Sequence, residues 1–203
     1  MASGGVTKNE ARAEVRARRS MRSALALSAS AKALAASAMP LLPPSPVTVS
    51  CYRSMSAEPG TAPLIEALLT RGDRVLLPRI DGSRLQWVAV THITDYARGP
   101  LGIKEPVGPA LPDQPAPLAG ADILFLPALS VDRAGRRLGQ GGGYYDKVLA
   151  GMPLHSAGGP LRVAVLFDGE FVDVVPFEDH DCSVDVVLMP GRVEYIAPAS
   201  PSD

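Results

Sequence analysis

The chain has 203 residues, 46% of them hydrophobic, and a formal net charge of −1. That length suits one compact core, and the balanced charge excludes the concentrated basic face on which nucleic-acid binding by counterion release depends. Two distant cysteines, Cys51 and Cys182, with no CxxC spacing, exclude a disulfide framework and a zinc knuckle and read as buried thiols in a reducing compartment.

In chain order, Thr7 followed three residues later by Glu10 has the form of a capping box, and the Ala, Arg and Glu after it predict a helix over "TKNEARAEVRARRSMRSALAL". Lys8 and Arg12 share a face of it, which Arg16 and Arg19 continue at spacings of four and three; taken alone, this is a solvated basic stripe. A second helical piece is expected from near Ser28 to just before Pro40. The run "SALALSASAKALAASAM" behind Arg16, Arg18, Arg19 and Arg22 imitates a signal peptide. Lys32 interrupts it, and its alanine and serine make a poor membrane core, so an amphipathic helix is expected in a cytoplasmic protein with no membrane partner.

Beyond the proline-rich connector at 40–47, "VTVSCY" predicts a short buried strand, "APLIEALLTRG" a helix ended by Gly72, and "DRVLLP" a strand, which together imply a right-handed parallel crossover. "SRLQWVAV" predicts another strand. Prolines and glycines across 98–120 predict one long loop, of the kind that forms lids. "ADILFLPALSVD", residues 121–132, predicts a single strand buried on both faces. "YYDKVLAGM" predicts a helix ending at Gly151, and "LRVAVLF" and "SVDVVLM" predict two further strands. The expected fold class is α/β: a three-layer α/β/α arrangement with a central mostly parallel sheet, preceded by a long N-terminal helical segment (7–38) and followed by a flexible tail (197–203).

The stretch "RRLGQGGGYYDK", residues 136–147, arrives where an open α/β sheet binds ligands, beyond the carboxyl end of a buried strand. Gly139, Gly141, Gly142 and Gly143 let backbone N–H groups approach an anion, and a helix starting near Tyr144 aims its positive end at the same place. The pattern is neither a dinucleotide GxGxxG nor GxxxxGK[ST], and glycine density alone fits a flexible hairpin equally well. Arg137 can clamp a phosphate, Asp146 can hold Mg²⁺, and Tyr144 and Tyr145 offer stacking faces. The plain alternatives are a surface charge, a first-turn helix acid and core edges. Downstream, "PFEDHD" supplies Glu178, Asp179, His180 and Asp181; since Mg²⁺ needs one or two carboxylates plus substrate phosphates, Asp146 and Asp181 suffice.

The segment "LPALSVDRAGRRLGQGGGYYDKVLA" is similar to the P-x-x-x-x-D-x-x-G-x-R-L-G-x-G-x-G-Y-Y-D signature of the 5-formyltetrahydrofolate cyclo-ligases. The likeness extends to K-x-x-x-R at Lys8 and Arg12, "LPR" at 77–79, "GIKEP" at 102–106 and "PFEDHD" ending at Asp181, and so spans nearly the whole chain as a single domain (1–203). The resemblance implies an ATP- and Mg²⁺-dependent closure of 5-formyltetrahydrofolate to 5,10-methenyltetrahydrofolate, with ADP and phosphate released; the chain is separately expected to be a monomer. By resemblance Lys8, Arg12, Arg137, Gly139, Gln140, Gly141, Gly142, Gly143, Tyr144 and Tyr145 meet the nucleotide, with Arg137 and Tyr144 catalytic. Arg53 and Glu58, joined by Gln140 and Tyr144, meet the folate, and Asp146 and Asp181 hold the metal. Two positions depart from the pattern: Gly142, where some members carry lysine, and Gly60, where many carry a second acid. A binding protein without turnover, and a sugar-phosphate enzyme on a related scaffold, are the alternatives.

Overall fold

The computed structural model describes residues 6–44, 46–113, 116–178 and 181–197. Asp179, His180 and all but the first residue of the expected tail lie outside these. The elements in chain order are α1 (Lys8–Ser20), α2 (Ala24–Ala38), β1 (Thr48–Ser50), α3 (Ala62–Arg71), β2 (Arg74–Asp81), β3 (Arg84–Val90), β4 (Tyr96–Arg98), β5 (Lys104–Pro106), β6 (Ile123–Pro127), β7 (Ser130–Asp132), β8 (Arg137–Leu138), α4 (Tyr144–Leu149), β9 (Leu161–Val165), β10 (Phe171–Val172), β11 (Val186–Met189) and β12 (Arg192–Tyr195).

The main sheet runs β12-β11-β9-β6-β1-β2-β3. Its five middle strands pair in parallel, and its two edge strands, β12 and β3, pair antiparallel. The middle strands are unbroken apolar runs because both faces are covered. Val75 and Leu77, Ile123 and Phe125, and Val163 and Val165 point into a core closed by α2 and α3. The intervening Leu76, Leu124 and Ala164 point into a second core with Trp87 and Leu149 of α4. The result is the expected α/β/α layering, with the second outer layer thin because α4 has six residues.

Three expectations change in detail. The N-terminal segment is two helices as expected, but the break falls at Met21 rather than near Ser28, and Ser23 caps α2 by accepting the Ala26 N–H at 3.2 Å. The 121–132 run is two strands. Its second half, β7, leaves the main sheet and pairs with β8 and β10 in a small sheet, on which α1 packs through Val15. Residues 98–120 are not one loop, since β4 and β5 pair as a hairpin whose turn places Gly102 at φ 73. Among the described residues, one helical stretch, Ala24–Leu41, is long and apolar enough to cross a membrane by length and composition. Here its Leu34, Ala35 and Ala38 are part of the core over the sheet.

Candidate active site

β1 and β6 are neighbours from which the chain departs in opposite directions, to β2 on one side and β9 on the other. Such a switch point leaves a crevice at the carboxyl ends of the strands. A cleft of about 670 Å³ opens there, walled by α1, the segment after β1, the ends of β2 and β6, β5, and the loop from β8 to α4. All fourteen residues assigned to the site by sequence line it.

The glycine loop is the floor. Gly141 at φ 103 and Gly143 at φ 64 hold left-handed backbone that a side chain would strain. Gly143 caps α4 without a side-chain bond, and a helix this short adds little dipole, so anion affinity here rests on the loop amides and nearby cations. Arg12 ties α1 to the loop by donating Nε–H to the Gly139 carbonyl at 3.0 Å. Arg137 is buried. It donates to the Pro127 carbonyl at 3.1 Å and to Asp146 Oδ1 at 2.5 Å, and its Nε has no partner among the described residues. Lys8 donates to Asp181 Oδ2 at 2.6 Å and stands 3.2 Å from Glu178 Oε2. Burial opposes its charge, but the hydrogen bonds to Asp181 and Glu178 outweigh that, and its pKa lies above the usual lysine value.

On the far side of the loop Glu58 is buried. Its two oxygens accept the Met55 N–H at 2.8 Å and the Gln140 side-chain amide at 3.1 Å. Arg53 stacks over Tyr96, 4.5 Å from the ring centroid. Tyr144 reaches the Gly82 carbonyl at 3.3 Å. Tyr145 is closer to the core edge than to a free stacking face: it packs in the core beneath α4, its hydroxyl is buried without a partner among the described residues, and desolvation raises its pKa.

The basic stripe on α1 is not solvated throughout. Arg19 is 2% exposed, forms a two-bond ion pair with Glu170 (2.7 and 2.8 Å) and donates to the Ala128 carbonyl at 2.7 Å. Arg16, though exposed, donates to both the backbone and side-chain oxygens of Gln140, at 2.8 and 3.1 Å. The sequence reads Arg16 only as part of a solvated stripe and gives the cleft residues Tyr52, Lys104 and Glu105 no role. The "GIKEP" run was the available signal for the last two. The Gly60 departure has a packing reason: a Cβ there would lie 2.8 Å from that of Ala31, so α2 occupies the space an acid would need. At Gly142 a Cβ would meet only the Tyr144 ring, at 2.9 Å, a side chain that can move.

Five cations (Lys8, Arg12, Arg53, Lys104, Arg137) and five carboxylates (Glu58, Glu105, Asp146, Glu178, Asp181) line the cleft. Among the described residues no three His, Cys, Asp or Glu are grouped to hold a metal by themselves. A metal held by Asp146 and Asp181 would therefore need its remaining ligands from elsewhere, such as phosphate oxygens.

A crevice at a switch point, a glycine floor and paired charges define a three-layer α/β enzyme that acts on a small anionic ligand. More particularly, residues 5–190 match the model of the 5-formyltetrahydrofolate cyclo-ligase family, and the chain belongs to that family. It is 40% identical over 151 residues to 5-formyltetrahydrofolate cyclo-ligase of Mycolicibacterium smegmatis, covering 71% of this chain and 74% of that protein. It is 32% identical over 152 residues to the Escherichia coli K12 protein of the same name, covering 72% and 79%. In fold it is similar to 5,10-methenyltetrahydrofolate synthetase of Aquifex aeolicus, with a TM-score of 0.78, 23% identity, and 98% and 97% of the two chains covered.

Proposed function

We propose that the chain closes 5-formyltetrahydrofolate to 5,10-methenyltetrahydrofolate at the expense of ATP, releasing ADP and phosphate, through phosphorylation of the formyl oxygen. A formamide oxygen is a poor leaving group. Once phosphorylated, it leaves as phosphate when N10 attacks the formyl carbon. Phosphoryl transfer needs positioning and charge neutralisation rather than a nucleophilic side chain. Lys8, Arg12 and Arg137 with the loop amides of Gly139, Gly141, Gly142 and Gly143 supply those, while Tyr144 flanks the nucleotide and Tyr145 backs the cleft from the core. Arg137, held by the Pro127 carbonyl at the end of β6 and by Asp146 of α4, is the cation for the transferring group. Mg²⁺ held by Asp146 and Asp181 would offset phosphate charge that five cations already matched by five carboxylates do not.

Gln140 carries the reading. Its backbone belongs to the loop that Arg12 and Arg16 fasten to α1, while its side chain donates to Glu58, the carboxylate suited to ring N–H groups of a pterin. One residue thus joins the anion end of the cleft to the folate end and fixes their separation. Arg53 completes the folate wall. The protein is proposed to work as a cytoplasmic monomer without nucleic-acid or membrane partners. Purified protein with ATP, Mg²⁺ and 5-formyltetrahydrofolate is expected to develop the near-ultraviolet absorbance of the methenyl product. Binding of both ligands without that absorbance would instead indicate a non-catalytic binding protein.

A further inference from the structure

We propose that Glu105 is the base that takes the N10 proton as the ring closes, an assignment that rests on the cyclo-ligase chemistry proposed above. Ring closure leaves one proton to be removed. The N10 lone pair forms the bond to the formyl carbon, N10 then carries both a positive charge and its hydrogen, and the C–O bond breaks with its electron pair going to phosphate. The proton must leave N10 for the remaining charge to spread over N5, the carbon and N10 in the methenyl product. N10 is an aryl amine, and a protonated aryl amine is acidic enough for an ordinary carboxylate to receive its proton.

Within the cleft the other candidates are committed or unsuited. Asp146 is paired with Arg137, and Asp181 and Glu178 with Lys8. Glu58 accepts the Gln140 amide. Lys8 holds its proton above the usual lysine range, and burial raises Tyr52 and Tyr145 above the usual tyrosine range, so none of the three offers a basic form near neutral pH. No histidine is among the described lining residues.

Glu105 differs from all of these. It is 7% exposed and borders the cleft from β5. Oε1 accepts the Ile80 N–H at 3.1 Å, and no Lys or Arg among the described residues pairs with it. A buried carboxylate without a counter-charge is destabilising unless something compensates, yet the chain makes room for it. A Cβ on Gly99 would stand 2.2 Å from its carboxyl carbon, so a side chain at 99 would push the carboxylate out of this position. A residue needed only to pin the hairpin to β2 could be a neutral amide.

Glu105→Gln separates the two roles, because the amide oxygen still accepts from Ile80 while the basic oxygen is lost. With the full chain, ATP, Mg²⁺ and 5-formyltetrahydrofolate, the variant is expected to lose about 10²- to 10⁴-fold in kcat for methenyl formation. KM for both substrates and the thermal midpoint should stay near wild type. In a rapid-quench single turnover ADP is still expected to form, while the methenyl absorbance lags. Wild-type kcat in this variant, or ADP and methenyl formation falling together, would overturn the assignment. Absence of methenyl product from the wild-type protein would instead overturn the underlying cyclo-ligase reading. Glu105→Ala, which also removes the Ile80 contact, serves as the stability control and should lower the thermal midpoint.

Discussion

Lys8 Nζ and Asp181 Oδ2 stand 2.6 Å apart, joining the first turn of α1 to a carboxylate 173 residues away. Arg137 and Asp146 repeat the arrangement within the glycine loop. Each proposed metal ligand is thus held by a proposed phosphate cation, and a ligand carrying both charges can exchange partners with both pairs at once. A metal alone would have to displace the cations with no phosphate to receive them. Mg²⁺ binding by isothermal calorimetry is therefore expected to be weak without nucleotide and to strengthen at least tenfold with a non-hydrolysable ATP analogue. Tight Mg²⁺ uptake by the nucleotide-free protein would contradict the exchange.

Asp146→Asn tests the second pair. The Arg137 side chain is 3% exposed, and removing its counter-charge leaves a buried guanidinium uncompensated, which costs about 3 kcal/mol or more. From sequence alone this change would alter only the metal requirement. The pairing adds a stability loss visible in urea unfolding, alongside a rise in the Mg²⁺ concentration needed for half-maximal rate. Arg137→Ala is expected to lower kcat about 10²- to 10³-fold, as for the loss of one donor to a developing charge.

Arg16→Ala should act on folate rather than nucleotide. The guanidinium holds Gln140 by backbone and side chain, and Gln140 in turn holds Glu58. Loss of the outer contact is expected to raise KM for 5-formyltetrahydrofolate about three- to tenfold while leaving KM for ATP within twofold. Arg16→Lys, which cannot make the forked contact, should recover only part of the loss. Equal changes for both substrates would mean that α1 shifts as a whole.

How far the sequence carried depended on how local each feature was. Val75, Leu76 and Leu77 announce a strand buried on both faces because every residue in the run is apolar. The glycine loop and the Thr7 cap are readable because their chemistry lies within a few residues. Arg19 was misread because its partner, Glu170, is 151 residues away, and helical spacing grouped it with Arg12 and Arg16. The break between β6 and β7 is invisible in an unbroken apolar run. What holds it is tertiary: Arg19 donates to the Ala128 carbonyl and Arg137 to that of Pro127. Two-residue strands such as β8 and β10 are too short to show a period. Glu105 was quoted in a motif but given no role, because its position depends on the β4–β5 hairpin folding against Ile80.

The alkaline limit of stability should report Cys51. Its thiol is fully buried beside β1, and desolvation pushes its pKa from the usual 9.0 up to about 12. Below pH 9 both folded and unfolded chains keep the proton and the group contributes no slope. Above pH 9 the unfolded chain releases it while the folded chain does not, so stability falls as pH rises, by about 1 kcal/mol between pH 9 and 10. Cys182, less buried but raised in the same direction, adds a smaller share, and Tyr52 and Tyr145 extend the decline above pH 10. Urea unfolding of Cys51→Ala should start from lower stability, because a buried atom is lost, but show a clearly shallower slope between pH 9 and 10. The wild-type thiol should also resist iodoacetamide at pH 8 until the protein is unfolded, since the reactive thiolate is scarce. Equal slopes with and without the cysteine would place that thiol in contact with water and detach it from the core that positions Tyr52 at the cleft.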